Sequence, residues 1–156
     1  MDDDALPFPR VSRVSWVESR PLLAAVRREV FVLEQSVPES IELDDHDATA
    51  WHFLALAPDG EPIGTARLLR SGGFGRVAVL SSWRGKGIGR ALRAEVLRAS
   101  RELGLPRPHL HAQVPTIPFY ESLGFVVCGE GFEEAGIAHQ AMELAGPPSK
   151  NPLTPT

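Results

Sequence analysis

The stretch Arg84-Gly85-Lys86-Gly87-Ile88-Gly89 carries the clearest chemistry in the chain. It stands between a short apolar run, RVAVL at 76–80, and a long amphipathic segment. A helix that starts there presents unpaired backbone N–H groups and the positive end of its dipole. Glycines let an anion approach the backbone closely and permit unusual torsions. Arg84 and Lys86 add positive charge, and the whole suits a pyrophosphate. Alternate glycines at a helix start cost stability relative to alanine, so a tight turn alone accounts for them poorly. Spacing excludes two familiar nucleotide sites. A P-loop needs Ser or Thr directly after Gly-Lys, where Gly87 stands; a Rossmann turn begun at Gly85 needs glycine at Arg90.

The elements that must position this turn follow from periodicity and punctuation. Val11 to Val17 alternates as a first strand. Ser19 as cap and Pro21 in the first turn are expected to open a helix, with Leu22, Val26, Val30 and Leu33 at helical spacing. Residues 35–49 are polar and broken by Pro38, a loop with room for a short helix. Strands are expected at Trp51 to Ala57, Pro62 to Leu69 and Arg76 to Leu80, separated by Pro-Asp-Gly and Ser-Gly-Gly turns. A helix from Gly87 to Leu103 buries Ile88, Leu92, Val96, Ala99 and Leu103, and Gly104 stops it. Leu110 to Gln113 is a strand, Pro115 to Leu123 a short helix, and two strands at about 125–129 and 137–144 complete the chain. The expected order is β-α-α-β-β-β-α-β-α-β-β, a mixed α/β sheet rather than a doubly wound one.

Composition agrees with one ordinary domain. The 156 residues are 43% apolar and 23% charged, enough for a core and a solvated surface. Residues 1–10 are expected to be a flexible arm, 11–145 a single domain, and the proline-rich 146–156 a disordered tail. No apolar run is long enough to span a membrane. The start Met1-Asp2-Asp3-Asp4 lacks the basic and apolar regions of a signal peptide. Cys128 is the only cysteine, so no internal disulfide forms, and a reducing, cytoplasmic compartment is expected. Cys128 itself is expected to be a buried small residue of a strand. The net charge of −4 hides a basic middle: residues 61–107 hold three acids and ten bases, whereas 1–50 hold eleven acids and five bases. A basic centre between acidic flanks suggests a centrally held anion. A net-acidic chain without a basic, aromatic-lined face is a poor nucleic-acid binder. Asp44-Asp45-His46-Asp47 lacks a second cluster at ligand spacing, so it is read as a solvated acidic loop and no metal is expected.

VAVLSSWRGKGIGRAL resembles the acyl-CoA signature of the GNAT N-acetyltransferase superfamily, R/Q-x-x-G-x-G/A, with Arg84, Gly87 and Gly89 at its defined positions. Phe119-Tyr120-Glu121-Ser122-Leu123-Gly124-Phe125 resembles the same family's F-Y-x-x-x-G-F block. The two lie in the family's order, with its strand order, over about residues 12–145. VFVLEQSVP and the following ELDD further resemble a small bacterial branch, the ElaA-like proteins. The resemblance implies a GNAT fold and transfer of an acetyl group from acetyl-CoA to a primary amine of a small molecule or protein by direct attack. It implies pyrophosphate contacts from Arg84, Gly85, Lys86, Gly87, Ile88, Gly89 and Arg90. It places the pantetheine arm along Val77, Ala78 and Val79, on a strand that splays from its neighbour, with an N–H near Val79 as oxyanion donor. Gln113 falls where many members have an Asn that contacts CoA. Tyr120 aligns with the tyrosine that hydrogen-bonds the CoA sulfur and acts as general acid.

The chemistry also needs the acceptor amine to lose a proton, because an ammonium has no lone pair. Some members supply a Glu on the strand before the phosphate turn; FGRVAVL has no acid. Glu34, Asp44, His52, His111 and His139 are the candidates elsewhere, and Glu34 is the one carried forward with Tyr120 as catalytic. Three alternatives stay open: a CoA-binding sensor without turnover, an acyl-homoserine-lactone-type synthase, and an interaction-only protein. The intact Arg84-x-x-Gly87-x-Gly89 pattern argues against the second, and the third leaves the glycine turn unexplained. A homodimer is also left open, as are the acceptor's identity and the acyl groups used.

Overall fold

The computed structural model describes residues 9–36, 44–134 and 136–145. The expected tail and all but the last two residues of the expected arm lie outside these. The chain divides between Pro108 and His109 into two compact units.

The first unit opens with strand β1 (Arg10–Val14) and helix α1 (Trp16–Arg27). The cap is Ser15, not the expected Ser19: Ser15 Oγ accepts from the Glu18 N–H at 3.4 Å. Ser15-Trp16-Val17-Glu18 has the spacing of a capping box, which ends the strand at Val14 and starts the helix a turn early. Pro21 therefore lies inside the helix, not in its first turn. The inward stripe is Leu23, Val26, Arg27 and Val30, at i, i+3, i+4 and i+7. The expected Leu22 and Leu33 are exposed. The helix continues without a break into a π-helical stretch, Arg28–Glu34. Val26 and Val30 pack with Ala78, flanked by Phe31 and Leu80, and this apolar contact ties the stretch to the fourth strand.

Strands β2 (Trp51–Leu56), β3 (Pro62–Leu68) and β4 (Phe74–Val79) follow. They join β1 in an antiparallel sheet ordered β1-β2-β3-β4. Near-continuous burial of β2 and β3 reflects their central position. β4 is an edge strand with a bulge, since Thr65 pairs with Ala78 and Arg67 with Gly75. Arg76 sits in the bulge at φ 47°, left-handed for a non-glycine residue. Thr65 Oγ1–H donates to its carbonyl at 3.0 Å.

Helix α2 (Ile88–Glu102) buries Ile88, Leu92, Val96, Ala99 and Ser100. The expected Leu103 is the C-cap and is partly exposed. Gly104, at φ 66°, closes the helix as a Schellman motif: its N–H donates to Arg101 O at 3.2 Å and Leu105 N–H to Ser100 O at 3.0 Å. α2 packs closely over Gly64 on β3; a Cβ there would stand 3.0 Å from Ile88 Cγ2 and 3.2 Å from Leu92 Cδ1.

The second unit holds β5 (His109–Gln113), helix α3 (Ile117–Ser122), β6 (Phe125–Val127), β7 (Phe132–Glu134) and β8 (Ile137–Leu144). β8 pairs antiparallel with β5, β6 and β7, and β5 is an edge strand. Leu110, Ala112, Phe125, Met142 and Leu144 are buried. The element order is the expected one with two differences: β7 is added, three residues being too few for periodicity to announce, and where a second helix was expected before β2 the described residues hold only the π-helical continuation of α1 and a 3-10 turn, Asp45–Ala48. Cys128 lies just past β6 and is half-buried rather than buried. The expected strand to Gly129 stops at Val127, because the Gln140 side-chain amide donates to the Cys128 and Gly129 carbonyls, at 3.1 and 3.0 Å.

Candidate active site

The phosphate-type turn is built by torsions that only glycine adopts cheaply. After the short 3-10 turn Ser81–Trp83, Arg84 is extended, Gly85 stands at φ 76° and Gly87 at φ 86°. Both glycines are left-handed, and a Cβ at either would meet open space, so torsion rather than crowding selects them. Gly87 is the N-cap of α2 and carries no side-chain cap, and the first turn of α2 has no acid. Among the described residues no side chain accepts from the N–H groups at this end, and Lys86 and Arg90 are exposed and make no ion pair. This end of α2 can bind an anion.

Arg84 does not stand ready beside it. Its guanidinium donates through Nη1 and Nη2 to Glu34, at 2.6 and 2.8 Å, and through Nε to the Val79 carbonyl at 2.9 Å. The bidentate pair holds the Glu34 carboxyl below its ordinary value, chiefly through the hydrogen bonds from Arg84, and raises Arg84 correspondingly. Glu34 was expected as a proton acceptor; a carboxylate so held accepts a proton poorly and must first leave the guanidinium.

β4 supplies the other predicted contacts unequally. Leu80 N–H donates to Ile63 O at 3.0 Å, toward β3. By strand alternation the Ala78 backbone also faces β3, and Val79 turns its N–H and C=O to the open edge. The Val79 carbonyl is taken by Arg84, which leaves its N–H directed outward. Ala78 is committed by its backbone to the ladder and by its side chain to the core, so its expected pantetheine contact loses support. Val77 is buried next to the bulge.

Two of the other candidate bases belong to a buried network. Arg27 grips Asp47 with two hydrogen bonds, 2.9 and 3.2 Å; Arg67 Nη1–H donates to Asp47 at 3.1 Å and Asp44 at 2.8 Å; Arg76 Nη2–H reaches Asp44 at 3.2 Å. Asp44 and Asp47 also form a capping box around the 3-10 turn Asp45–Ala48. Asp44-Asp45-His46-Asp47 is therefore not the solvated loop expected: Asp47 is 2% exposed and neutralised from two elements. Burial pushes the Asp47 carboxyl up, but Arg27, the Asp44 N–H and Arg67 outweigh it and hold it below the ordinary value. His52 Nε2–H donates to the Asp47 carbonyl at 2.8 Å, and its ring stacks on Trp16. Burial pushes the His52 imidazole down, and its ring is enclosed. Arg27 was legible as part of this network only through its place on the inward stripe of α1.

In the second unit, Tyr120 is half-buried on α3, edge-on to Phe119 and Phe125 at 5.1 and 6.1 Å. Gln113 is exposed at the end of β5, with His139 as its register partner on β8. His111 Nδ1 lies 3.1 Å from Glu134 Oε1, and His139 Nε2 lies 3.8 Å from Glu134 Oε2. Glu134 and Phe132 escaped the sequence reading because β7 did; the flanking Gly131 and Gly136 were the available signal. Among the described residues no group of His, Cys, Asp or Glu is arranged to hold a metal, and no helix is long and apolar enough to cross a membrane.

A family model described as an acetyltransferase (GNAT) domain matches residues 17–145. The uncharacterized N-acetyltransferase YjcF of Bacillus subtilis is 37% identical over 122 residues, covering 75% of this chain and 86% of that one. ElaA of Escherichia coli is 34% identical over 77% of this chain and 83% of its own. The ElaA crystal structure superposes with a TM-score of 0.71, over 87% of this chain and 99% of that chain. An acyl-CoA N-acyltransferase from Pseudomonas aeruginosa is 30% identical with a TM-score of 0.71, over 87% of this chain and 99% of that one.

Proposed function

The chain belongs to the GNAT acetyltransferase family, whose chemistry is acyl transfer from acyl-CoA, and we propose that it is a cytoplasmic N-acetyltransferase moving acetyl from acetyl-CoA to a primary amine. The observation that carries this is the N-terminus of α2. Gly85 and the signature's Gly87 stand left-handed before a helix start without side-chain cap or acid. Backbone N–H groups from Gly85 through Arg90, with Lys86 and Arg90, are assigned to the pyrophosphate. Arg84 shapes the turn and closes the end of β4, with Glu34 as its partner. Val79 N–H, on the open edge with Val77, is assigned to the thioester oxygen and pantetheine arm, where an oriented donor stabilises the tetrahedral oxyanion. Gln113 is assigned a further contact to CoA. Tyr120 is the group that protonates the departing thiolate. Residues 11–145 act as one catalytic domain, and the acceptor is a small amine with no nucleic acid or membrane involved.

Calorimetric titration with acetyl-CoA, with ATP and NAD as controls, tests the donor half. Micromolar binding selective for acetyl-CoA is expected; none would return the turn to a structural role. CoA release with a panel of amines tests transfer. The lack of any acid on β4, Phe74–Val79, favours a second reading, a CoA-binding sensor, and binding without release would establish it.

A further inference from the structure

The second unit gathers side chains on one face of its sheet that the assignments above leave without a role. His111 on β5, Glu134 and Phe132 on β7, and His139 on β8 are brought together by register: Gln113 faces His139, and Phe132 faces His139 from the other side. The Glu134 carboxylate stands between two imidazoles. The Phe132 ring stacks on His139, with centroids 6.0 Å apart, and meets His111 edge-on at 4.9 Å. Glu134 and His111 are exposed, whereas the His139 side chain is 9% exposed.

Hydrogen bonding sets the tautomer of His139. Its Nδ1 lies 2.8 Å from the Ile137 carbonyl oxygen. A carbonyl only accepts, so Nδ1 carries the hydrogen, and neutral His139 has a bare lone pair at Nε2. That nitrogen and Glu134 Oε2 are 3.8 Å apart, too far for a direct hydrogen bond. Two acceptors across such a gap call for a donor between them. An ammonium nitrogen about 2.9 Å from each would donate to both, with its charge met by the carboxylate.

We propose that Glu134, His139, Phe132 and His111 form the subsite for the acceptor's primary ammonium, with His139 Nε2 taking its proton. This rests on the reading of the chain as an N-acyltransferase. The ammonium N–H bond breaks and its proton passes to Nε2. The resulting imidazolium is held by the Ile137 carbonyl on one side and the Glu134 carboxylate on the other. The amine lone pair attacks the thioester carbon, the C–S bond breaks, the thiolate takes its proton from Tyr120, and the tyrosinate takes the second proton that the new amide nitrogen sheds. The imidazolium then releases its proton to solvent past the exposed Glu134 and His111. Among the described residues of the second unit, the charged and titratable groups on the His139 face are His109 and His111 from β5, Glu134 from β7 and Glu143 on β8 itself; β6 and Val114–Thr116 bring none. The site also fills the gap left by Glu34, held by Arg84, and His52, enclosed by Asp47 and Trp16.

The test uses the full chain labelled with 15N-histidine. Long-range 1H–15N spectra, with His139 assigned from His139→Asn, should show Nε2 unprotonated. Spermidine should shift that signal, and tetramethylammonium, which has charge but no N–H, should not. With the amine the wild type acetylates best among spermidine, tyramine and lysine, Glu134→Gln should raise KM about tenfold. His139→Asn keeps an N–H for the Ile137 carbonyl but has no proton-accepting nitrogen. It should lower kcat/KM about a hundredfold and remove the acid-side limb of the pH profile. Both should leave acetyl-CoA affinity within about twofold. An Nε2–H tautomer, an equal response to tetramethylammonium, or a wild-type pH profile in His139→Asn would overturn the proposal. Glu134→Gln, on an exposed side chain, keeps the test open should His139→Asn fold poorly. If the wild type binds acetyl-CoA yet acetylates none of the amines, the acyltransferase reading fails, and the histidine spectra alone decide whether the subsite holds an ammonium.

Discussion

Glu34 and Arg84, fifty positions apart, close a two-pronged ion pair that joins the end of the π-helical stretch to the turn before α2. The same guanidinium caps Val79 at the end of β4, so one side chain braces three segments. Both partners are about two-fifths exposed, so the pair contributes modestly to stability.

Its pH dependence has a definite sign. The Glu34 carboxyl is held below its ordinary value of 4.5, so the pair's contribution is complete above that value and is lost as pH falls through the lower folded value. The difference in thermal midpoint between wild type and Glu34→Gln should be constant near neutrality and shrink only in more acid solution. A difference that grows on acidification would mean the pair does not form in solution.

Substitution in the anion turn should act on the donor. Gly89→Glu puts a carboxylate in the first turn of α2, where the positive dipole end would hold it in place of a phosphate. Acetyl-CoA affinity measured by calorimetry should fall about a hundredfold or more, with thermal stability little changed. Unchanged affinity would remove the pyrophosphate from this turn.

Tyr120→Phe keeps the ring contacts to Phe119 and Phe125 and removes only the hydroxyl. Turnover should fall about a hundredfold, with acetyl-CoA affinity within about twofold. Acceptors with equal turnover in both proteins would show that the thiolate leaves without Tyr120.

Asp47 is gripped by both Arg27 and Arg67. Asp47→Ala leaves Arg27, 1% exposed, without its bidentate partner. Urea denaturation should show a loss of about 3–5 kcal/mol, the cost of removing one partner of a buried ion pair. A loss below about 1 kcal/mol would mean that water reaches Arg27.

The sequence by itself determined the kind and order of the long elements, because these depend on neighbours within a turn or two. The stripe Ile88, Leu92, Val96 and Ala99, the glycines at 85, 87 and 104, and the buried run Trp51–Leu56 all announce themselves locally. The anion turn was legible for the same reason: its chemistry lies in six consecutive residues. Local signals competed where the reading failed. Ser19 and Pro21 look like a helix start, but Ser15 with Glu18 makes the better cap and claims it. Tertiary structure alone decided the partners of the charged groups. Asp47 lies twenty positions from Arg27, Glu34 fifty from Arg84, and Glu134 twenty-three from His111. Periodicity tells which face of an element is apolar. It does not tell which distant face comes opposite, and a charge's role as solvated group, strut or proton acceptor depends on what stands within a few ångströms of it.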